Sequence, residues 1–218
     1  MTRLAVFDCD GTLVDSQADI CAAMDAAFAA AGLAAPPGHA TRRIVGLSLP
    51  EAMRHLHPRG DEAQRAEICD HYRAAFRTRR ERGRLAEPLY DGIAAALERL
   101  LAAGWQLGVA TGKSDRGLAA CLATHALDGH FVTLQTADRH PSKPHPAMLE
   151  AALAAAGADP ARSVMIGDTA YDMEMARAAG VRAIGVAWGY HSPEELTAAG
   201  ADAIAQSADE LADILEAE

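Results

Sequence analysis

Several things are scarce in this sequence, and each scarcity removes a class of protein. None of its 218 residues belongs to a run of about 18 apolar residues, so no helix is expected to cross a membrane. Cations are outnumbered, 20 Lys and Arg against 30 Asp and Glu, and the net charge of -10 argues against nucleic acid or an anionic membrane as partner. The four cysteines, Cys9, Cys21, Cys69 and Cys121, form no Cys-x-x-Cys pair. Scattered in this way they read as free thiols in a reducing compartment, and the cytoplasm is the expected location. Met1-Thr2-Arg3 runs directly into an apolar stretch, which leaves no room for a signal peptide. No Gly-x-Gly-x-x-Gly follows that stretch, so a dinucleotide site is not expected there. Internal repeats and low-complexity tails are absent from the sequence as well.

What is present begins at once. Leu4-Ala5-Val6-Phe7 reads as a short buried strand, and it ends in Asp8-Cys9-Asp10-Gly11-Thr12. On an extended backbone the i, i+2 spacing puts both carboxylates on one side. Gly11 permits a sharp turn or a close backbone approach. Taken alone, Asp-x-Asp-Gly is equally a solvated turn. Three further groups change the balance. Val109-Ala110-Thr111-Gly112-Lys113 is an apolar run ending in a hydroxyl and a glycine. Ser142-Lys143-Pro144 offers an ammonium in a restricted loop. Val164-Met165-Ile166-Gly167-Asp168-Thr169 ends in another acid, with Asp172 close behind. Each group lies at the end of an expected strand or in the loop beside one, and in a parallel sheet those ends share one edge, where open α/β sheets bind ligands.

The pattern along the chain supports such a sheet. From Ser16 to Gly32 the spacing is helical, with Ile20, Met24 and Phe28 on one stripe. Asp15 or Ser16 is placed to cap its start and Gly32 to end it. Pro36-Pro37 breaks the chain, and Ser48-Leu49-Pro50-Glu51 reads as a capping box opening a short helix. A longer helix is expected from Ala63 to about Arg82, with Cys69, Tyr72 and Phe76 on one face. No strand pattern appears between Asp15 and Leu85. From Leu89 onward helices and strands alternate: strands are expected over 106–110, 131–134, 164–166, 183–186 and, weakly, 203–204. The fold class is therefore α/β: a Rossmann-like parallel sheet with helices on both faces, formed by residues 1–14 and 86–218, plus an inserted all-helical cap over 15–85.

Asp8, Asp10, Asp168 and Asp172 would crowd one edge of this sheet. Two like charges about 5 Å apart repel by roughly 3 kcal/mol at an effective dielectric of about 20. Lys143 alone does not offset several such pairs, so either some acids hold protons or a cation sits among them. The donors are oxygens, and no His or Cys except Cys9 lies inside the motifs, which favours Mg2+ over zinc. A metal and Lys143 would recruit an anion locally despite the overall negative charge.

These residues, in this order, resemble the haloacid dehalogenase-like hydrolases, in particular their phosphatases with a helical cap. Asp8 through Ser16 fit the first motif, Thr111-Gly112 the second, Lys143-Pro144 the third, and Gly167-Asp168-Thr169 through Asp172 the fourth. The resemblance implies a role for each. Asp8 is the nucleophile that forms an aspartyl phosphate. Asp10 protonates the leaving oxygen and then deprotonates the attacking water. Mg2+ is held by the Asp8 side chain, the Asp10 carbonyl and Asp168, while Asp172 holds a metal-bound water or orients Lys143. Thr111, the Gly112 amide and Lys143 bind the transferring phosphoryl oxygens.

Asp10 also separates branches. Dehalogenases and phosphonatases of this fold lack an acid two residues after the nucleophile, so its presence favours a phosphatase or phosphomutase. The sugar phosphomutases carry arginine just after a Gly-x-Ser in the cap, whereas Gly46-Leu47-Ser48 is followed here by Leu49. Lys143-Pro144-His145-Pro146 and Asp15-Ser16 resemble the phosphoglycolate phosphatases, although Tyr90-Asp91-Gly92 departs from their common Tyr-Pro-Gly. The expectation is a Mg2+-dependent phosphatase acting on a small phosphorylated metabolite, as monomer or homodimer. Its alternatives are a β-phosphoglucomutase-like mutase, a pyrophosphatase and, from a different class, a phosphoaspartate signalling switch. Substrate choice is expected in the insert, with Arg43 and Ser48 as candidate contacts and Arg42 beside them. His140 and His145 flank Lys143 but read first as solvated loop residues, as do His55 and His57. Cys9 is expected to point into packing.

Overall fold

Alternate residues of the first strand, β1 (Arg3–Phe7), face opposite ways, and both sets are apolar: Leu4 and Val6 on one side, Ala5 and Phe7 on the other. A strand of this kind must be covered on both faces. In the computed structural model, which describes residues 2–217, β1 lies inside a six-stranded sheet. Its other strands are β2 (Trp105–Thr111), β3 (Phe131–Thr136), β4 (Ser163–Gly167), β5 (Arg182–Val186) and β6 (Ala203–Ala205). Every pairing is parallel, and the order is β3-β2-β1-β4-β5-β6.

Helices α5 (Ile93–Ala102), α6 (Asp115–Thr124) and α10 (Ala208–Glu216) cover the Phe7 face, where Leu97, Leu118 and Leu211 pack on Leu107, Val109 and Ile166. Helices α7 (Ala147–Ala156), α8 (Ala170–Ala178) and α9 (Pro193–Ala199) cover the other, where Met148, Met173 and Leu196 meet Val6, Met165 and Ala183. The strand order reverses between β1 and β4. That switch point leaves a crevice at the carboxyl ends of the two strands, and Asp8 and Asp168 stand on either side of it.

Between β1 and α5 the described structure is helical: α1 (Gln17–Ala30), α2 (Gly38–Arg43), α3 (Leu49–Leu56) and α4 (Glu62–Glu81). They bury a core of their own, built from Met24, Phe28, Ile44, Leu47, Met53 and Ile68. The stripe expected on α1 is buried throughout, and Gly32 ends the helix at φ +71. Ser48 caps α3, with its hydroxyl accepting from the Glu51 amide at 3.4 Å. Ser16 does not cap α1; its hydroxyl donates to Asp10 instead. On α4 the expected stripe divides: Cys69 is buried, while Tyr72 and Phe76 are only half-buried. The short helix α2 has no apolar period to betray it.

The two crossings between the helical segment and the sheet run side by side. The Asp15 amide donates to Pro88 O at 2.8 Å, and the Tyr90 amide to Leu13 O at 3.0 Å. Asp19, fully buried at the start of α1, accepts from Arg79 Nε and from the Ala86 amide, both at 2.7 Å. One carboxylate thus ties α1, α4 and the return crossing together.

Candidate active site

The site starts where β1 runs out. The Asp8 amide still belongs to the sheet, donating to Ile166 O at 2.9 Å. The chain then turns tightly: the Leu13 and Val14 amides donate to Cys9 O at 2.9 and 3.1 Å. Gly11 makes the turn at φ +83, and a Cβ there would stand 2.2 Å from Asp168 Oδ2. Both the turn and the close approach expected of this glycine are therefore required.

Asp8, Asp168 and Asp172 each bring a carboxylate oxygen to one point, all within 4.8 Å of one another and all buried. Lys143 Nζ lies 3.0 Å from Asp8 Oδ2 and 2.6 Å from Asp172 Oδ1. The other Asp172 oxygen accepts from the Thr169 amide and hydroxyl at 3.1 and 2.7 Å, which fixes the carboxylate that aims the lysine. Asp168 is held by the Thr12 hydroxyl and the Tyr190 amide, both at 2.9 Å. Asp8 Oδ1 accepts from the Cys9 amide at 2.6 Å, whereas buried Asp8 Oδ2 meets only the Lys143 ammonium among the described residues.

The electrostatics follow from this crowding. Burial, with Asp172 and Asp10 nearby, pushes the Asp8 carboxyl up to about 7 against the pull of Lys143. Burial, with Asp172 and Asp8, likewise raises Asp168 far above the usual carboxylate range. Burial alone would lower Lys143, but Asp172 and Asp8 outweigh it and hold the ammonium charged. A cluster of buried oxygen donors, one of them met only by the Lys143 ammonium, suits a hard divalent cation such as Mg2+. Asp8 and Asp168 are the side chains placed to hold it, and Asp172 is committed to Lys143.

Thr111 is buried as the last residue of β2, and Gly112 follows it. A Cβ at Gly112 would stand 2.5 Å from Leu47 O, so only glycine lets the helical segment come this close. That segment is seated on the site. A Cβ at Gly46 would stand 3.8 Å from Asp8 Oδ2, and the Ser48 amide donates to Ser142 Oγ at 2.8 Å.

Several expected residues stand elsewhere. The Asp10 carboxylate is not part of the acidic cluster; its Oδ1 accepts from Ser16 and lies 2.8 Å from Lys113 Nζ. A metal contact from Asp10 would have to use its carbonyl. Arg43 is not among the residues that line the cleft: its guanidinium pairs at 2.7 Å with Glu195, in the first turn of α9 and far off in sequence. Ser48 does line it, but its hydroxyl serves the helix start. His140 bonds Gln135 at 2.8 Å and His145 Nδ1 accepts from the Ala147 amide at 3.2 Å, so both are spent locally. Cys9 is buried, with its sulfur 3.9 Å from that of Cys121. Sequence reasoning missed Lys113, whose Nζ also meets Glu87 at 2.6 Å in the return crossing. Its position straight after Thr111-Gly112 was the available signal.

A switch-point crevice that holds buried acids and a buried lysine under a helical cap is the site of a hydrolase-type α/β enzyme. A family model, haloacid dehalogenase-like hydrolase, matches residues 5–186. The chain belongs to that family, in its branch of capped phosphatases. It is 36% identical over 217 residues to the Probable phosphatase IndB of Dickeya dadantii, covering 97% of this chain and 92% of that one. It is 28% identical to a phosphoglycolate phosphatase of Vibrio vulnificus, covering 98% and 96%. The crystal structure of a predicted phosphatase from Clostridium acetobutylicum superposes with a TM-score of 0.90 at 27% identity, covering all of both chains.

Proposed function

We propose that this enzyme hydrolyses a small organic phosphate monoester, phosphoglycolate phosphatase-like in its chemistry, through a covalent aspartyl phosphate on Asp8. The observation that carries the reading is Asp8 Oδ2: buried, with the Lys143 ammonium at 3.0 Å as its one polar neighbour among the described residues. A nucleophilic oxygen must keep a lone pair free, and the neighbouring charge offsets that of the incoming phosphoryl group.

Asp8 Oδ2 attacks phosphorus, and the bond to the ester oxygen breaks. Asp10 gives that oxygen a proton. Asp10 Oδ1 takes both Ser16 and Lys113 as donors, which leaves Oδ2 as the oxygen through which the proton passes. Asp10 then takes a proton from water as the water attacks the phosphorus of the acyl phosphate, which frees Asp8 and inorganic phosphate. Thr111, the Gly112 amide and Lys143 hold the phosphoryl oxygens, and Asp172 keeps Lys143 aimed. Asp8, Asp168 and the Asp10 carbonyl would hold Mg2+, whose chemistry there would be to neutralise charge on the phosphoryl oxygens. Residues 15–85 form the cap, which excludes water from the crevice. The four free thiols suit a reducing cytoplasm.

The test is phosphate release from a panel of monoesters with Mg2+ and with chelator. Turnover that needs Mg2+ and disappears in Asp8→Asn supports the reading. Full turnover in strong chelator, or in Asp8→Asn, contradicts it.

A further inference from the structure

Beside the acidic centre the cleft widens into a cavity of about 530 Å3 between the helical segment and the sheet edge. Pockets of this size take whole drug-sized ligands, and a two-carbon phosphate would leave most of it to water. Its walls are apolar close to the centre, where Val45, Leu47 and Leu49 face it, and Phe76 lines it from α4. Further lining comes from arginines. On α4, Arg73, Arg77 and Arg80 share a face by their i, i+4, i+7 spacing, and Arg116 reaches in from the first turn of α6.

The charges that line the cavity divide into used and unused. Lys113 is committed to Asp10 and Glu87. Arg73 pairs with Asp70 at 2.9 Å. Asp138 accepts from the Asp115 amide at 2.8 Å and so serves the start of α6. Arg77, Arg80 and Arg116 have no ion pair and no side-chain hydrogen bond among the described residues. Three unpaired guanidiniums turned into one cavity, in a chain of net charge -10, are a receptor for a second anion.

Resting on the phosphatase reading of the neighbouring centre, we propose that the leaving part of the substrate is an apolar body that carries a second anionic group, a carboxylate or a phosphoryl, received by Arg77, Arg80 and Arg116. The apolar body lies along Leu47, Leu49 and Phe76. The arginines then select the substrate by its far end, while Asp8 and Lys143 act on the near end.

The experiment compares phenyl phosphate, its carboxylate-bearing and phosphonate-bearing derivatives, and phosphoglycolate, by kcat/KM with Mg2+. The expected result is a preference of about tenfold or more for the charged aryl phosphates over phenyl phosphate, the range for one charge-assisted contact. Whichever derivative leads identifies the anion. Arg77→Gln with Arg80→Gln, and Arg116→Gln separately, should each pull that ratio toward unity. Arg82→Gln, at the end of α4 and away from the cavity wall, should leave the ratio as it is. A wild-type ratio near unity overturns the proposal, as does a ratio that survives neutralisation. Phosphoglycolate turned over better than the charged aryl compounds would overturn the apolar body. Titration calorimetry of the same compounds on Asp8→Asn reads the charge preference without turnover. If no compound is hydrolysed, the phosphatase reading fails, and the calorimetric ratio still decides this one.

Discussion

On the sheet side of the cleft, Asp8, Asp168, Asp172 and Lys143 are all but inaccessible to solvent, and nearly every polar atom among them has a fixed partner. Across the cleft, Arg77 and Arg80 on α4 and Arg116 in the first turn of α6 line the same space with no ion pair or side-chain hydrogen bond among the described residues. The first wall is held in place by a sheet, so its charges stay close at the expense of their solvation. The second rides on helices whose arginines remain partly hydrated and adaptable. Fixed, desolvated groups stabilise developing charge at little cost in reorganisation. Mobile, hydrated ones discriminate between ligands without specifying one shape. The contrast is what the two proposals require: reaction type set by the fixed residues and substrate choice by the hydrated ones.

The largest expected effect tests the fixed wall. Asp8→Asn should lower kcat on the order of 10⁴-fold or more, as removal of a nucleophile does. In chelator its melting temperature should equal or exceed that of the wild type, since the change removes a buried carboxylate that burial disfavours. A large loss of stability there would break the contrast. Next comes Lys143→Met, for which kcat should fall about 10²–10³-fold. Asp172→Asn, which acts on the lysine and not on substrate, should fall less.

The tie that Asp19 makes between α1, α4 and the return crossing gives a stability effect. Asp19→Ala strands Arg79 and the Ala86 amide and should cost about 3 kcal/mol in denaturant unfolding. No change would mean that the helical segment does not depend on that tie.

The smallest effect is on the pH profile. The Asp8 carboxyl stands at about 7 in the folded chain, above its ordinary value of 3.8. The folded state therefore binds its proton more tightly, and the stability gained from it is complete below the lower value and lost as pH rises through about 7. Melting temperature in chelator should fall across that interval, and added Mg2+ should raise it more above pH 7 than below pH 5. A flat difference would argue against a metal among these acids.

How much could be read beforehand follows the same division. The strands and Asp8, Thr111 and Asp168 were legible because each of these residues sits at or just after the end of an apolar run, a local signal, and Lys143 because it stands in a proline-restricted loop. Thr12, Tyr190 and Glu87 were not, because their roles depend on what folds against them. Lys113 was in view, but its partners Asp10 and Glu87 lie on separate segments. Arg43 was placed at the substrate because the acid that takes it, Glu195, is remote in sequence. On α4, Tyr72 and Phe76 repeat at helical spacing as a core face would. Only the docking of the helical segment on the sheet shows that they look partly into a cavity.

The claim on which the rest depends is covalent transfer to the first strand-end acid, and it is tested by quenching the enzyme during turnover and reducing the trapped acyl phosphate with borohydride. Conversion of Asp8 to homoserine in the digested peptide, found only with substrate and Mg2+ present, is the predicted result. Rapid phosphate release with position 8 unmodified, or with the label on Asp10 or Asp168 instead, would contradict the account.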